Sequence, residues 1–360
     1  MNHFSPDCLI IAPEANDPQS VTLFEELSSR GKKPYMLAFK EDGKIKTSNI
    51  VLGNDKIVYG EDLSAVKAVY IRCINTGVPP VIPPLLNAAE FSLWQARYLM
   101  EESRQKVFSG MIGLLEKRGA LVINPPSAYF HHNAKAQFFY MLEQEGLPVP
   151  YTFATGSLRF YKKKILHNDE EFIIKAGYGV GGTRRLLKNM VPEKEELQYC
   201  PSLFQEEIKG STIRVHTVGN SVVLALRIVS EDIDSRSDAK GFEAVSLSPE
   251  HEALIARANR LLGLNFSAWD VIVAPDNSLY LLDCNPGPYI WWIGPYFSRV
   301  VLSRLADLIA FYIERGTVED FGTSASFNPE IPLVRKQDER VDEIMQPLTA
   351  SWKNLLRLRN

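Results

Sequence analysis

The sequence predicts a parallel α/β unit in the first third of the chain and a strand-rich α+β region after it. Two observations carry this: short apolar runs alternate with helical patterns as far as Val122, and short alternating strands dominate from there on. In order, LIIA (9–12) reads as a buried strand, and Asp17-Pro18 caps a helix that runs through Arg30 until Gly31 stops it. PYMLAF (34–39) and AVKAVYIR (65–72) follow as strands, and the proline-rich VPPVIPP (78–84) then breaks regular structure. A long helical pattern runs from Leu85 to about Arg118, with Gly110 as its candidate bend.

Past Val122 a helix spans about Ala134 to Gln144 and ends at Gly146. The expected strands are then EFIIK (171–175), SLFQEEI (202–208), TIRVHTV (212–218), SVVLALRIV (221–229), AWDVIV (268–273) and SLYLLDCN (278–285). A helix from about Pro249 to Leu262 lies among them. From about Gly322 the chain turns polar and closes in an amphipathic, basic-ended segment that reads as a docking helix or arm.

The 360 residues are 45% hydrophobic and 23% charged, the proportions of an ordinary globular protein. Forty basic residues against 43 acidic ones leave a net charge of -3, so no basic field marks a nucleic-acid binder. No apolar run approaches a membrane span, and the N-terminus lacks a signal-peptide pattern. Cys8, Cys73, Cys200 and Cys284 are scattered without a CxxC pair, which fits a reducing cytoplasm and argues against a disulfide framework or zinc site.

The most informative stretch is AWDVIVAPDNSLYLLDCNPGP (268–288). A two-residue loop at Asp276-Asn277 would set Asp270 directly opposite Asp283, with Asn285 two residues further on the same face. Two carboxylates about 5 Å apart among apolar residues repel unless a cation lies between them. Asp, Asp and Asn offer only oxygen, which selects Mg²⁺ or Mn²⁺ over zinc and leaves room for a nucleotide phosphate. A one-residue slip in register would send one aspartate to the other face.

EFIIKAGYGVGGTRR (171–185) is the second feature. Gly177, Gly179 and Gly182 have G-x-G-x-x-G spacing, but mid-chain and without a following helix they do not suit a dinucleotide site. With Gly181 they read better as a loop whose bare amides approach phosphates, beside an ammonium on Lys175. Glu206, Glu207 and Ile208 read by themselves as an acidic strand end or as a hinge with backbone groups for a purine. Arg214 and Arg227 flank the turn at Gly219-Asn220, in apolar strands where an arginine needs a partner: an anionic ligand or a core carboxylate. His131 and His132 have no partner at ligand spacing and read as helix-entry or surface residues, and Trp291-Trp292 reads as core.

Taken in order, NAKAQFFYMLEQEGLPVPYT (133–152), IIKAGYGVGG (173–182), FQEEIKG (204–210), TIRVHTVGNSVVLALR (212–227) and DVIV…LLDCNP (270–286) resemble the ATP-grasp superfamily over about 155 residues. The resemblance implies a pre-ATP-grasp α/β domain (1–124), a first ATP-grasp subdomain with the glycine loop (125–200), a second with the metal site (201–322), and a tail (323–360). It implies that Lys135 and Lys175 contact ATP, that Glu206, Glu207 and Ile208 form the purine hinge, and that Asp270, Asp283 and Asn285 bind magnesium. Arg214 and Arg236 match arginines near the γ-phosphate and acyl substrate, with Arg227 as a third catalytic candidate. Three positions depart from the superfamily pattern: Asp283 replaces a usual glutamate, Ala176 a frequent proline, and Thr212 a common aspartate.

Within the superfamily, the segment looks most like ligases that join a carboxylate to an amine on amino acids or peptides: ribosomal-protein glutamate ligases and graspetide synthetases. NPGPYIWWIG (285–294) and VYIRCINTG (69–77) are similar to stretches of the second group. The expected reaction is ATP-dependent ligation through an acyl phosphate, releasing ADP, on a small-molecule or peptide substrate. The expectation includes no nucleic acid or membrane partner and leaves a homo-oligomer open. An ATP-binding module of the same fold without ligase activity is the alternative.

Overall fold

Cys8–Ala12 (β1) is apolar throughout and fully buried, as a strand covered on both faces of a parallel sheet must be. Helix α1 (Pro18–Ser29) follows, its entry fixed by Pro18 and by the Asp17 carboxylate, which accepts from the Ser20 N–H at 2.9 Å. Pro34–Ala38 (β2) completes the first β-α-β unit. Three short antiparallel strands come next, Ile50–Leu52 (β3), Ile57–Tyr59 (β4) and Glu61–Asp62 (β5), and none of them is among the expected elements. Ala68–Ile71 (β6), the 30-residue helix α2 (Ala88–Lys117) and Leu121–Ile123 (β7) follow. The parallel sheet has the order β2-β1-β6-β7. Helix α2 continues through Gly110, and its last third packs Phe108, Met111, Ile112 and Leu115 against Leu9, Val69 and Val122.

The computed structural model describes residues 5–38, 50–53, 56–73, 88–165, 171–175, 183–186, 202–229 and 241–321. The proline-rich run, the glycine loop (177–182), Arg236 and the tail lie outside the described residues. The chain divides into two units, the first comprising residues 1–126, 287–289 and 299–322, the second the remainder. Most of the C-terminal helix therefore counts with the first unit, where Arg30 donates to Asp307 at 2.8 Å and the Tyr312 hydroxyl to the Gly119 carbonyl at 2.7 Å. No helix of the described residues is long and apolar enough to cross a membrane.

The second unit begins with α3 (Pro126–Asn133) and α4 (Lys135–Gln144). Thr152–Thr155 (β8), α5 (Leu158–Ile165), Phe172–Lys175 (β9), Thr183–Leu186 (β10) and Ser202–Glu206 (β11) follow, and the four strands form a sheet of order β10-β9-β11-β8. A five-stranded antiparallel sheet is built from Ser211–Val218 (β12), Ser221–Val229 (β13), Gly241–Ala244 (β14), Phe266–Val273 (β15) and Leu279–Asn285 (β16). Its order is β14-β13-β12-β15-β16. Helix α6 (Pro249–Leu262) matches its expected bounds because both ends are written in sequence: Ser248 caps the Pro249 entry, and Gly263 closes it in the left-handed region at φ 65°. A short 3₁₀ turn (Trp291–Ile293) and helix α7 (Pro295–Arg315) end the described chain.

One face of the five-stranded sheet is the core. Val215, Ala225, Trp269, Val271 and Leu281 pack there against Phe138 and Phe139 of α4 and Ile255 of α6. The entry to β12 is tight: a Cβ on Gly210 would lie 2.3 Å from the Val273 carbonyl oxygen and 2.7 Å from Ile272 Cγ2. Since the obstacle is backbone, Gly210→Ala is expected to cost about 2–3 kcal/mol. The check is a lower urea midpoint with an unchanged slope.

Candidate active site

The site is built on the other face of this sheet. Asp270 of β15 lies opposite Asp283 of β16, and Asn285 pairs with Ala268 one step further along the same face. The loop differs from expectation. Val273 pairs with Leu279 and Val271 with Leu281, so the connection is one residue longer than Asp276-Asn277, with Asn277 in the left-handed region at φ 68°. A β-bulge between Asp270 and Val271 then leaves Leu282 unpaired and returns the strands to the register that joins the two aspartates. The burial of β16 records it: exposure alternates through Leu281, repeats at Leu282 and Asp283, and resumes at Cys284.

Each carboxylate has a cation beside it. Arg214 of β12, directly opposite Asp270, reaches both its oxygens through Nη1 at 2.7 and 2.9 Å. Lys135, the first residue of α4 and itself buried, is ion-paired with Asp283 Oδ1. Burial opposes ionisation of Asp283, but the Lys135 ammonium and then His132 outweigh it and hold this carboxyl well below the usual carboxylate range. His132 donates from Nδ1 to the Cys284 carbonyl at 2.7 Å and lies 3.7 Å from Asp283.

The guanidinium of Arg214 also sits 5.6 Å from the centre of the Trp292 ring, which packs edge-to-face on Phe242. One expectation is thereby corrected and another extended. Trp291 and Trp292 are partly exposed rather than core, and His132, expected as a helix-entry or surface residue, is also a neighbour of Asp283. A lone histidine whose partner is a backbone carbonyl leaves no spacing signal. The aromatic run after Asn285 did carry one.

A second correction concerns Arg227. It pairs with Ile213, a core residue, and not with Arg214's partner Leu226, so it projects from the opposite face of the sheet. There it meets Glu243 at 3.0 Å, both side chains 47% exposed. Arg227 is a surface ion pair and does not belong with the site.

The nucleotide-side residues are placed in part. Lys175 ends β9 with its ammonium 5.9 Å from the Phe139 ring, one turn along α4 from Lys135. The expected hinge follows β11, which ends at Glu206. The Glu206 N–H is held by the Tyr151 carbonyl at 2.9 Å and that of Glu207 by the Glu171 carbonyl at 2.7 Å, so Ile208 is the hinge amide that these bonds leave over. The Glu207 carboxylate is taken by Arg185 through Nε and Nη2. Gly177, Gly179, Gly181, Gly182 and Arg236 lie outside the described residues.

The donor set suits a hard divalent ion. Asp270 and Asp283 are about 30% exposed, enough for an ion that keeps several waters, and only oxygen is offered. Arg214 Nε is buried without a hydrogen-bond partner, an unfilled donor pointing to an anion at the same place.

Residues 132–288 match the family described as ATP-grasp domain. A tetrahydromethanopterin:alpha-L-glutamate ligase of Methanocaldococcus jannaschii is 30% identical over 204 residues, covering 52% of this chain and 67% of its own. A probable alpha-L-glutamate ligase of Haemophilus influenzae is 24% identical over 206 residues, covering 54% of this chain and 69% of its own. Among solved structures, the ATP-grasp ligase PsnB complexed with minimal precursor, Mg and ADP superposes with a TM-score of 0.71 at 24% identity, over 87% of this chain and 99% of that one. The macrocyclase MdnC of Microcystis aeruginosa, bound with precursor peptide MdnA, gives 0.66 at 22% identity, over 83% and 99%. The chain belongs to the ATP-grasp family, and within it to the ADP-forming ligases that join a carboxylate to an amine with ATP.

Proposed function

We propose that this protein activates a carboxylate with ATP and joins it to an amine or hydroxyl of a peptide. The observation that carries the reading is the pair Asp270 and Asp283, opposite one another on one sheet face and each matched by its own cation. Asp270, Asp283 and Asn285 would hold Mg²⁺, which when bound neutralises charge on the β- and γ-phosphates. Lys135 keeps Asp283 ionised, Arg214 orients Asp270 through two hydrogen bonds, and Arg214 has its Nε left to donate to charge developing on the phosphoryl group. Trp292 and Asp270 between them fix the plane of that guanidinium.

Lys175 and the Ile208 amide would take phosphate and purine, with the glycine loop closing over them and Arg236 near the acyl centre. Residues 125–200 and 201–322 are read as the two halves between which the nucleotide binds. A peptide substrate is supported by the neighbours solved with precursor peptides. A reducing cytoplasm is read from four scattered cysteines without a CxxC pair.

The test is product analysis. With Mg²⁺, ATP and a panel of glutamate-containing peptides beside free glutamate, the expected products are ADP, phosphate and a product lighter than its reactants by one water. Formation of AMP, or a strict preference for free glutamate as the carboxylate donor, overturns the reading.

A further inference from the structure

We infer a carboxylate-binding site in the first unit, centred on Arg72. The inference rests on the ligase reading and names where the substrate's carboxylate side is held. Arg72 follows β6 directly, and its N–H bonds to the Ile11 carbonyl at the end of β1 at 2.9 Å. The sheet order β2-β1-β6-β7 puts the strands that follow β1 in sequence on its two opposite sides. The crevice beyond the carboxyl ends of β1 and β6 is therefore the point where strand order reverses, which is where open α/β sheets bind ligands.

The guanidinium there is held but not used up. Its side chain is 15% exposed, and its Nε is buried without a hydrogen-bond partner. Asp17 approaches Nε only to 3.6 Å, beyond hydrogen-bond reach, because its Oδ2 already takes the N–H and the hydroxyl of Ser20 at the start of α1. On its other side the guanidinium lies 4.7 Å from the centre of the Tyr289 ring. The platform is itself fixed: buried Gln19 donates from Nε2 to the Tyr70 hydroxyl at 2.7 Å and to the Pro288 carbonyl at 3.0 Å. Arg72 is thus a planar fork clamped between a ring and a carboxylate that does not saturate it. A fork of this kind fits a planar two-oxygen anion, a carboxylate, better than a spherical one. Tyr289 lies four residues after Asn285, so one short run of sequence, NPGPY, supplies both a proposed metal ligand and the wall of this site.

The experiment uses the full chain and two separate readouts. Calorimetry measures binding of three probes: a terminally blocked peptide with one internal glutamate, free L-glutamate, and inorganic phosphate. Thermal shift with Mg²⁺ and ATP reports the nucleotide site independently. Arg72→Lys retains the charge beside Asp17 and removes the fork, and Arg72→Gln removes both. The wild type is expected to bind the blocked peptide or free glutamate in preference to phosphate, and which of the two binds identifies the carboxylate's source. Each variant is expected to weaken that binding by about 10- to 100-fold while the response to ATP is unchanged. If Arg72→Gln does not fold, Arg72→Lys decides. Equal carboxylate binding by Arg72→Lys and wild type, a preference for phosphate, or no probe bound by the wild type overturns the site. Loss of the ATP response in the wild type overturns the ligase reading instead.

Discussion

Asp283→Asn is expected to lower ADP release by about 10²- to 10³-fold, because the substitution keeps shape and removes one of two carboxylates from the metal face. The same change strands Lys135, whose side chain is only 7% exposed. Breaking such a pair leaves a buried charge uncompensated, and with Asp283 31% exposed the loss of stability is expected to be about 1–3 kcal/mol, below that of a fully buried pair. The two effects separate in a double variant. Lys135→Met with Asp283→Asn removes both charges and is expected to recover most of the stability while remaining inactive. Urea unfolding and steady-state ADP release on the wild type, each single variant (Asp283→Asn and Lys135→Met) and the double variant make the comparison. Recovery of activity together with stability would mean that Asp283 serves folding alone.

His216 is expected to make stability fall steeply between about pH 6.5 and pH 4. It lies on β12 two residues from Arg214, fully buried, and neither ring nitrogen has a hydrogen-bond partner of good geometry. Burial and then the Arg214 charge push its pKa down to about 3. The folded-state pKa thus lies below the unfolded value of about 6.5, so in the window between them the unfolded chain binds a proton that the folded chain refuses. Stability is full above about pH 6.5 and is lost as pH falls toward 3, at up to about 1.4 kcal/mol per pH unit. His216→Leu removes the titrating group and is expected to flatten the profile between pH 6.5 and 5, where most carboxylates are still ionised. Parallel profiles for the variant and the wild type would show that other groups carry the pH dependence.

The parts of the fold that could be read in advance have their signals written locally. Helix α6 has Ser248, Pro249 and Gly263 at its ends, and α1 has Asp17 and Pro18. Strands β3 to β5 were illegible because each has only two or three residues, too few for an alternation to show. Helix α7 is missing from the expected elements although Val301, Leu302, Leu305, Ala306, Leu308 and Ile309 recur at helical spacing and are buried. The Pro-Gly-Pro and Trp-Trp run before it masks where it starts.

The site shows a subtler limit. Asp270 does face Asp283, yet two departures cancel to put it there: a loop one residue longer than a two-residue turn, and a bulge at Leu282. Leu282 is apolar like its neighbours, so nothing in composition distinguishes a bulged leucine from a paired one. Arg227 failed for the complementary reason. Its closeness to Arg214 across the hairpin was legible, but the face it occupies depends on a register that shifts between His216 and Thr217. A contact made through a backbone group, such as that of His132 with the Cys284 carbonyl, has no sequence spacing to betray it.

The central claim is that the face formed by Asp270, Asp283 and Asn285 binds ATP through a divalent ion. It is tested most directly by thermal unfolding with ATP, with and without Mg²⁺, on the wild type and on Asp270→Asn. At about 100 times its dissociation constant ATP should stabilise the wild type by about 2.7 kcal/mol, a shift of a few degrees, only when Mg²⁺ is present, and the variant should lose most of that shift. The same metal-dependent shift in the variant, or no shift in the wild type, would contradict the claim.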